Sequence, residues 1–300
     1  MADLRHDLHE SIRGEVLENA PLHLKTTYRI GGPARFMVCP QDEDDLRRLN
    51  EIINRHAVRK FVLGGGANVL FSDSGFDGVV IHLNHFNRLV IEGSLVTAEA
   101  GLVLDELIVT CLRASLAGVE RLSGIPGTLG GALRMNAGAF DAEISDCLQS
   151  VECLNFQGCH REFFKEEVGF QYRTASAIRD SYILRAHFEF PSSDREALFR
   201  SRQEILAQRY QRQPWQYPSA GSVFKRPPGH YAGKLIEDAG LKGHTIGRAQ
   251  ISSNHAGTII NLGGARATDV VSLIRLAQDE VREKFGVELE LEQELVGFNR

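Results

Sequence analysis

Leu63-Gly64-Gly65-Gly66-Ala67-Asn68-Val69-Leu70 sets three glycines directly after the apolar run Lys60-Phe61-Val62-Leu63. The run reads as a short buried strand, and the glycines as the turn that stops it. Such a turn exposes consecutive backbone N–H groups, which bind phosphate oxygens as a nest. It is not a P-loop, because Ala67-Asn68 follows Gly66 where the lysine belongs. Nor is it the dinucleotide fingerprint, since Val69 stands where the third glycine should be. Alone, the stretch reads as a structural turn. A second loop changes that balance: Ser123-Gly124-Ile125-Pro126-Gly127-Thr128-Leu129-Gly130-Gly131-Ala132, followed by Asn136-Ala137-Gly138-Ala139. Two such loops point to a diphosphate lying between them. One core rarely demands so many glycines, because each costs backbone entropy.

Working outward, residues 42–57 read as a helix. Asp42, Glu43, Asp44 and Asp45 at its start and Arg55 near its end match the helix dipole, and Leu46, Leu49 and Ile53 form its apolar stripe. Residues 78–83 read as a strand, and 88–98 as a hairpin turning at Glu92-Gly93-Ser94. Residues 105–117 read as a helix with Leu104, Leu107, Ile108, Cys111 and Leu112 on one face, and Gly118 stands where a C-terminal glycine cap belongs. From 149 to 190 the pattern is mostly β, with strands expected at 151–156, 161–164 and 182–190. Pro191-Ser192-Ser193-Asp194 breaks it, and a helix follows at 196–210. The last third carries a short helix at 233–239, strands near Ile251 and at 258–261, and a long helix at 268–285. That helix has Val270, Leu273, Ile274, Ala277, Val281 and Phe285 on one stripe and ends at Gly286. Alternation in Leu289-Glu290-Leu291-Glu292-Gln293-Glu294 puts three glutamates on one strand face. The expected class is α+β: a first domain of two lobes split near residue 85, a boundary near Pro191, then a smaller helix-and-sheet domain.

Three hundred residues exceed one usual core. The chain is 43% hydrophobic and 24% charged, an ordinary globular composition. A net charge of −5 argues against nucleic-acid or anionic-membrane partners, while a local cluster of cations could still hold a small anion. The five cysteines are odd in number and form no Cys-x-x-Cys pair, which fits reduced thiols in the cytoplasm better than disulfides or a metal site. The first twenty residues are charged, unlike a signal peptide or membrane anchor, and no later run is apolar enough to span a bilayer.

Tyr217-Pro218-Ser219-Ala220-Gly221-Ser222-Val223-Phe224-Lys225-Arg226-Pro227 packs a hydroxyl and two cations between prolines, with Gly221 free to take a positive φ. With this stretch a resemblance becomes specific. The two glycine loops look like the FAD-binding loops of the vanillyl-alcohol-oxidase type flavin fold. Within that superfamily the chain resembles the UDP-N-acetylenolpyruvoylglucosamine reductase family over about residues 24–297. Matches in order include Thr26-Thr27-Tyr28-Arg29-Ile30-Gly31-Gly32-Pro33-Ala34, Gln213-Pro214, the Ser222 stretch, Gly233-Lys234-Leu235-Ile236, Gly240-Leu241-Lys242-Gly243 and the C-terminal glutamates. The pattern around Gln213-Pro214 and Pro218-Ser219-Ala220-Gly221, without a tyrosine-bearing insertion before the third domain, resembles the shorter subtype.

The resemblance implies an N-terminal extension at 1–23, a two-lobed FAD-binding domain at 24–191 and a UDP-sugar domain at 192–300. It implies that NADPH reduces FAD, and that reduced FAD converts an enolpyruvyl ether on UDP-N-acetylglucosamine to a lactyl ether in peptidoglycan precursor synthesis. Hydride addition to the vinyl carbon leaves an enolate, so a cation and an acid should meet the carboxylate and a hydroxyl should supply the proton. The family's catalytic positions fall on Arg173 in Phe170-Gln171-Tyr172-Arg173, on Ser222, and on Glu292, five residues before Gly297. Their plainer readings are a surface salt bridge, a hydrogen-bonded turn serine and a solvated acidic edge. FAD would be held by Leu63, Gly64, Gly65, Gly66, Ala67, Asn68, Ser123, Gly124, Ile125, Pro126, Gly127, Gly130, Gly131, Asn136, Ala137, Gly138 and Ile183. The sugar nucleotide would be held by Tyr172, Arg212, Lys225, Arg226 and Lys234, with no metal. Ala67, Gln171, Ala175 and Arg226 depart from the family's usual serine, glycine, serine and asparagine. Two alternatives stand beside this reading. A flavin oxidase of the same fold often attaches FAD through a histidine, and Gly65-Gly66-Ala67-Asn68 offers none. A non-catalytic flavin- or nucleotide-sugar-binding protein would not need Arg173, Ser222 and Glu292 together. The expected protein is a cytoplasmic monomer with non-covalent FAD, NADPH as co-substrate, and neither nucleic-acid nor membrane partner.

Overall fold

The structure, a computed structural model, describes residues 3–298. The chain forms two compact units that interleave along the sequence. One holds the chain up to Glu18, Phe36–Gly65 and Gly78–Gln208; the other holds Asn19–Arg35, Gly66–Asp77 and the chain from Arg209 on. This differs from a division at Pro191. Tyr28, Ile30 and Leu70 belong to the core of the second unit, and Leu198, beyond the expected boundary, belongs to a core of the first.

In the first unit, helix α1 spans Leu4–Ser11 and α2 spans Glu43–His56. The α2 ends follow the sequence: Asp42 caps it by accepting from the Asp45 N–H, and Ala57 closes it at φ +49°. Asp45 is wholly buried, and its carboxylate accepts from the N–H groups of Arg13, Gly14 and Gln41, each at 2.9 Å. Such charge-assisted bonds, worth about 1.5–3 kcal/mol each, offset the burial of a charge. Leu46, Leu49, Ile52 and Ile53 pack with Val79, Ile81 and Leu154. Lys60–Leu63 runs parallel to Phe76–His82 with Leu63 opposite His82, in a four-stranded sheet that also holds Glu15–Pro21 and Pro33–Cys39.

A second, five-stranded antiparallel sheet follows the order His160–Phe164, Leu148–Asn155, Ser181–Glu189, Leu95–Glu99, Leu89–Glu92. This sheet has two apolar faces, and a register shift opposite Glu152 and Cys153 moves the strand Ser181–Glu189 from one to the other part-way along. Tyr182 and Leu184 join the α2 core, while Ile183, Ala186 and Phe188 join a core built on α3 (Leu104–Arg113) and α4 (Leu129–Arg134). Helix α3 ends four residues before the expected Ala117. Ser115 takes the left-handed turn at φ +62°, and the Leu116 N–H returns to the Cys111 carbonyl. A serine closes the helix where Gly118 was expected to, and Gly118 instead makes room for Cys147, whose Sγ would lie 2.7 Å from an added Cβ. Helix α5, Arg195–Arg212, follows.

The second unit packs α6 (Ala232–Asp238) and α7 (Ala267–Phe285) on a three-stranded sheet of Thr245–Ile246, Ala249–Ile251 and Ile259–Asn261. Val270, Leu273, Ile274, Ala277 and Val281 are buried as their period requires, whereas Phe285 is exposed in the last turn. Gly286 caps α7 at φ +67°. At the other end the Asp73 carboxylate accepts from Ala267 N–H at 2.7 Å and Thr268 N–H at 3.1 Å. Val69–Phe71 pairs parallel with Glu294–Val296. The glutamate-rich segment is not one continuous strand: regular pairing begins only at Glu294, leaving Glu292 half-buried while Glu290 and Glu294 are exposed. The break arises because Glu292 N–H turns to the Val223 carbonyl and Glu294 N–H to the Asn68 carbonyl. Among the described residues, no helix is long and apolar enough to cross a membrane.

Candidate functional site

In the first unit the two glycine loops touch. A Cβ on Gly64 would lie 2.7 Å from Thr128 Oγ1, and one on Gly65 would lie 2.5 Å from Gly127 Cα. These glycines are therefore needed for backbone approach. Gly124 and Gly127 have φ of +80° and +122°, conformations that L residues rarely adopt. Thr128 opens α4, its Oγ1 accepting from Gly131 N–H at 3.5 Å. Gly130 packs against Ala100, which an added Cβ would meet at 3.0 Å.

The loop is braced by residues that motif reading missed. Arg202 on α5 donates to both Asp105 carboxylate oxygens, at 2.7 and 2.8 Å, and to Ser123 Oγ at 3.0 Å. Ser123 itself is wholly buried. Ile125 packs on the core, and Ile183 lies within it at 6% exposure. The later part of the loop region is strained. Asn136, Phe140, Asp141 and Arg173 all take positive φ, at +40°, +52°, +59° and +58°. Left-handed non-glycine residues cost about 1–3 kcal/mol each and gather at functional sites. Asn136 is 1% exposed; its Nδ2 donates to Glu143 Oε2 at 2.6 Å, while its buried Oδ1 has no partner among the described residues. Arg173 occupies the second residue of a two-residue hairpin loop between Gln171 and Thr174. Its Nη2 donates to the Gly138 carbonyl at 3.3 Å, and its guanidinium stands 5.1 Å from the exposed Tyr172 ring.

These features suit FAD. The touching glycines leave a cradle that any Cβ would fill, and the Asn136 oxygen is a buried acceptor waiting for an N–H. The first glycine loop continues into the second unit, where Gly66 takes φ +62° and its carbonyl accepts from Thr27 N–H and Oγ1 at 3.1 and 3.2 Å. Ala67 is half-buried. Asn68 Nδ2 donates to the Glu292 carbonyl at 2.9 Å, so the loop's last residue is tied to the catalytic candidate.

The second unit brings Ser222 and Glu292 together. Gly221 stands at φ +69°, and a Cβ there would meet nothing within 4 Å, so backbone conformation rather than crowding demands glycine. Ser222 is exposed and bridges antiparallel to Thr258, with Val223 N–H donating to the Gly257 carbonyl at 3.0 Å. On its other side the segment runs beside residues 290–293: Lys225 N–H donates to the Glu290 carbonyl, and Glu292 N–H to the Val223 carbonyl, each at 2.9 Å. Arg173 belongs to the first unit.

The cation candidates differ in their engagement. Lys225 pairs with the Glu290 carboxylate. Lys234 pairs with Asp238 at 2.6 Å, and that hydrogen bond holds its ammonium above the usual lysine range. Arg226 stacks over the exposed Tyr231 ring at 4.0 Å. Arg212 is exposed at the end of α5.

Known proteins resemble this chain over nearly its whole length. A family model described as UDP-N-acetylenolpyruvoylglucosamine reductase, C-terminal domain, matches residues 213–296, and one described as FAD binding domain matches residues 34–163. A UDP-N-acetylenolpyruvoylglucosamine reductase of Caldicellulosiruptor bescii is 44% identical over 286 residues, 94% of this chain and 91% of that protein. One of Carboxydothermus hydrogenoformans is 42% identical over 298 residues, 99% of each. The crystal structure of UDP-N-acetylenolpyruvylglucosamine reductase from Thermus caldophilus is similar at TM-score 0.82 and 35% identity, covering 95% of this chain and 99% of that one. A berberine bridge enzyme variant, at 17% identity and TM-score 0.51 over 64% of this chain and 44% of that one, shares the fold alone.

Proposed function

This chain belongs to the UDP-N-acetylenolpyruvoylglucosamine reductase family, and from that membership we propose that it reduces the enolpyruvyl ether of UDP-N-acetylglucosamine to UDP-N-acetylmuramate, with NADPH as reductant and FAD bound non-covalently, in the cytoplasmic synthesis of peptidoglycan precursor. When bound, FAD would supply the two-electron hydride chemistry that links NADPH to the vinyl carbon β to the substrate carboxylate. Holding FAD falls to residues 24–191, supported by the family match at 34–163, and holding the sugar nucleotide to 192–300, supported by the match at 213–296.

Each residue's task follows from charge. The Arg173 guanidinium meets the substrate carboxylate, and Glu292 shares that carboxylate as an acid. As the β carbon gains hydride, negative charge spreads onto the α carbon and carboxylate, where a planar fixed cation stabilises it. The Ser222 hydroxyl then gives its proton to the α carbon, and a free serine is too weak an acid without such help. Arg226 and Arg212 serve the diphosphate, joined by Lys225 and Lys234 once they exchange their carboxylate partners for phosphate. Tyr172, whose ring lies 5.1 Å from the Arg173 guanidinium, would join them in holding the sugar nucleotide.

One observation carries the reading: the Ser222 segment and the Glu292 segment are hydrogen-bonded neighbours, from Glu292 N–H to the Val223 carbonyl at 2.9 Å. The deciding experiment mixes the purified protein with NADPH anaerobically and then adds the enolpyruvyl substrate. NADPH should bleach the flavin and the substrate should restore its colour. Bleaching without restoration, or no bleaching, would refute the proposal.

A further inference from the structure

We propose that Gln293 and Tyr28 are a positioning pair that sets the Ser222 turn, an inference that rests on Ser222 as proton donor. Gln293 is 3% exposed, between the half-buried Glu292 and the exposed Glu294. Its Nε2 donates to the Ala220 carbonyl at 3.0 Å and to the Gly221 carbonyl at 3.3 Å. Its backbone N–H and that of Glu292 donate to the Val223 carbonyl at 3.4 and 2.9 Å. One dipeptide therefore grips the chain immediately before and immediately after Ser222.

The donor inventory of this grip is open at one place. Both N–H bonds of the Gln293 amide are committed to carbonyls, so only Oε1 remains. That oxygen is buried and has no hydrogen-bond partner among the described residues. The hydroxyl of Tyr28, a wholly buried residue, has none either. The Gln293 amide lies beside it, and burial pushes the phenol well above its usual range. An O–H without an acceptor beside an amide oxygen without a donor is one small movement from closing. Tyr28 is the fixed side, because Asn261 Nδ2 donates to its main-chain carbonyl at 3.0 Å. The Gln293 amide is the side that moves, and it carries the Ala220 and Gly221 carbonyls with it. Gly221, at φ +69° with open space around it, is the joint that lets the turn follow. The O–H of Tyr28 thus sets where Gln293 rests, and Gln293 sets where Ser222 presents its hydroxyl.

The test uses FAD-loaded Gln293→Leu, Tyr28→Phe, Ser222→Ala and the double variant Ser222→Ala/Gln293→Leu. Stopped-flow spectroscopy reads flavin reduction by NADPH and reoxidation by the enolpyruvyl substrate separately, and hydrogen exchange reads the segment 218–224. Gln293→Leu should leave reduction unchanged and slow reoxidation at least about tenfold, as a misplaced reacting group does. Tyr28→Phe should show a smaller loss in the same half-reaction. In the double variant, Gln293→Leu should add no slowing beyond that of Ser222→Ala. A purely structural role would lower the melting temperature with both half-reactions normal, and that result overturns the proposal, as does additive slowing in the double variant. If Gln293→Leu does not fold, Tyr28→Phe, which removes one oxygen, decides by the same split. If Ser222→Ala alone reoxidises normally, the proton-donor reading falls separately. The pair is then judged on exchange of 218–224, where faster exchange in both variants supports it and unchanged exchange overturns it.

Discussion

Replacing Arg173 should separate its backbone from its side chain. The residue holds φ +58° at the second position of a two-residue hairpin loop, a place that favours glycine. Arg173→Ala removes the guanidinium and keeps the left-handed backbone occupied by a Cβ. Arg173→Gly removes both, so the difference between the two variants isolates the backbone. Relief of the left-handed clash is worth about 1–2 kcal/mol. The greater freedom of glycine in the unfolded chain takes back about 0.4–1 kcal/mol. Glycine should therefore exceed alanine by roughly 0.8 kcal/mol, or about 2–3 °C in melting temperature for a unit of this size. Both variants should lose substrate-driven reoxidation alike, by the roughly 10²–10³-fold that follows removal of a group facing developing charge. Differential scanning calorimetry with saturating FAD, paired with stopped-flow kinetics, makes both readings. A glycine variant no more stable than the alanine variant would refute the strain argument. Retained reoxidation in either would remove Arg173 from the chemistry.

Four further outcomes are expected. Ser222→Ala should leave flavin reduction by NADPH intact and slow reoxidation by roughly 10²–10⁴-fold; a normal oxidative half-reaction would end the proton-donor assignment. The purified protein should be yellow and release intact FAD on denaturation, while flavin that stays with the unfolded chain would contradict non-covalent binding. Arg226→Ala should raise KM for the sugar nucleotide about tenfold or more, from a contact worth roughly 1.5–3 kcal/mol, and raise KM for NADPH less; equal effects would reduce Arg226 to its stacking on Tyr231. In thiol labelling at pH 8, the exposed Cys159 should react first, and Cys159→Ser should abolish the fast phase. Cys111 and Cys153 should stay silent, since burial pushes each thiol up to about 12; rapid labelling of either would show that the core opens.

Legibility in the sequence followed the range of the forces involved. Helix α2 was readable to both ends, because Asp42 and the acids after it act within one turn. The hairpin at Gly93 and the strand Lys60–Leu63 were readable for the same local reason. The end of α3 was not, since Ser115 adopts a glycine conformation that only its surroundings enforce. The C-terminal glutamates alternate as a strand would, yet hydrogen bonds to Val223 and Asn68, far away in sequence, break the ladder at Glu292. Leu289 and Gln293, which alternate with the glutamates, are the buried residues of the run. The glycine loops were legible as a cradle. That Gly64 and Gly65 press on the second loop was not, because close approach leaves no local pattern. Lys225 and Lys234 read as cations for phosphate, and pattern alone could not foresee that Glu290 and Asp238 already hold them.

The parallel pairing of Val69–Phe71 with Glu294–Val296 has a consequence for how the chain is made. Val69, Leu70 and Phe71 are at most 5% exposed once paired. On the ribosome they emerge early, and their partner follows some 225 residues later. At about 5–20 residues per second the nascent chain carries this bare apolar segment for roughly 10–45 s. The interleaved units cannot be completed in order of synthesis, because residues 19–35 and 66–77 must wait for the core contributed by residues from Arg209 on. Translation pauses or early termination late in the message would leave the first unit's residues accompanied by an orphaned, sticky edge. A chaperone that shields short apolar strands suits this chain's biogenesis, and separate expression of either half should yield aggregates.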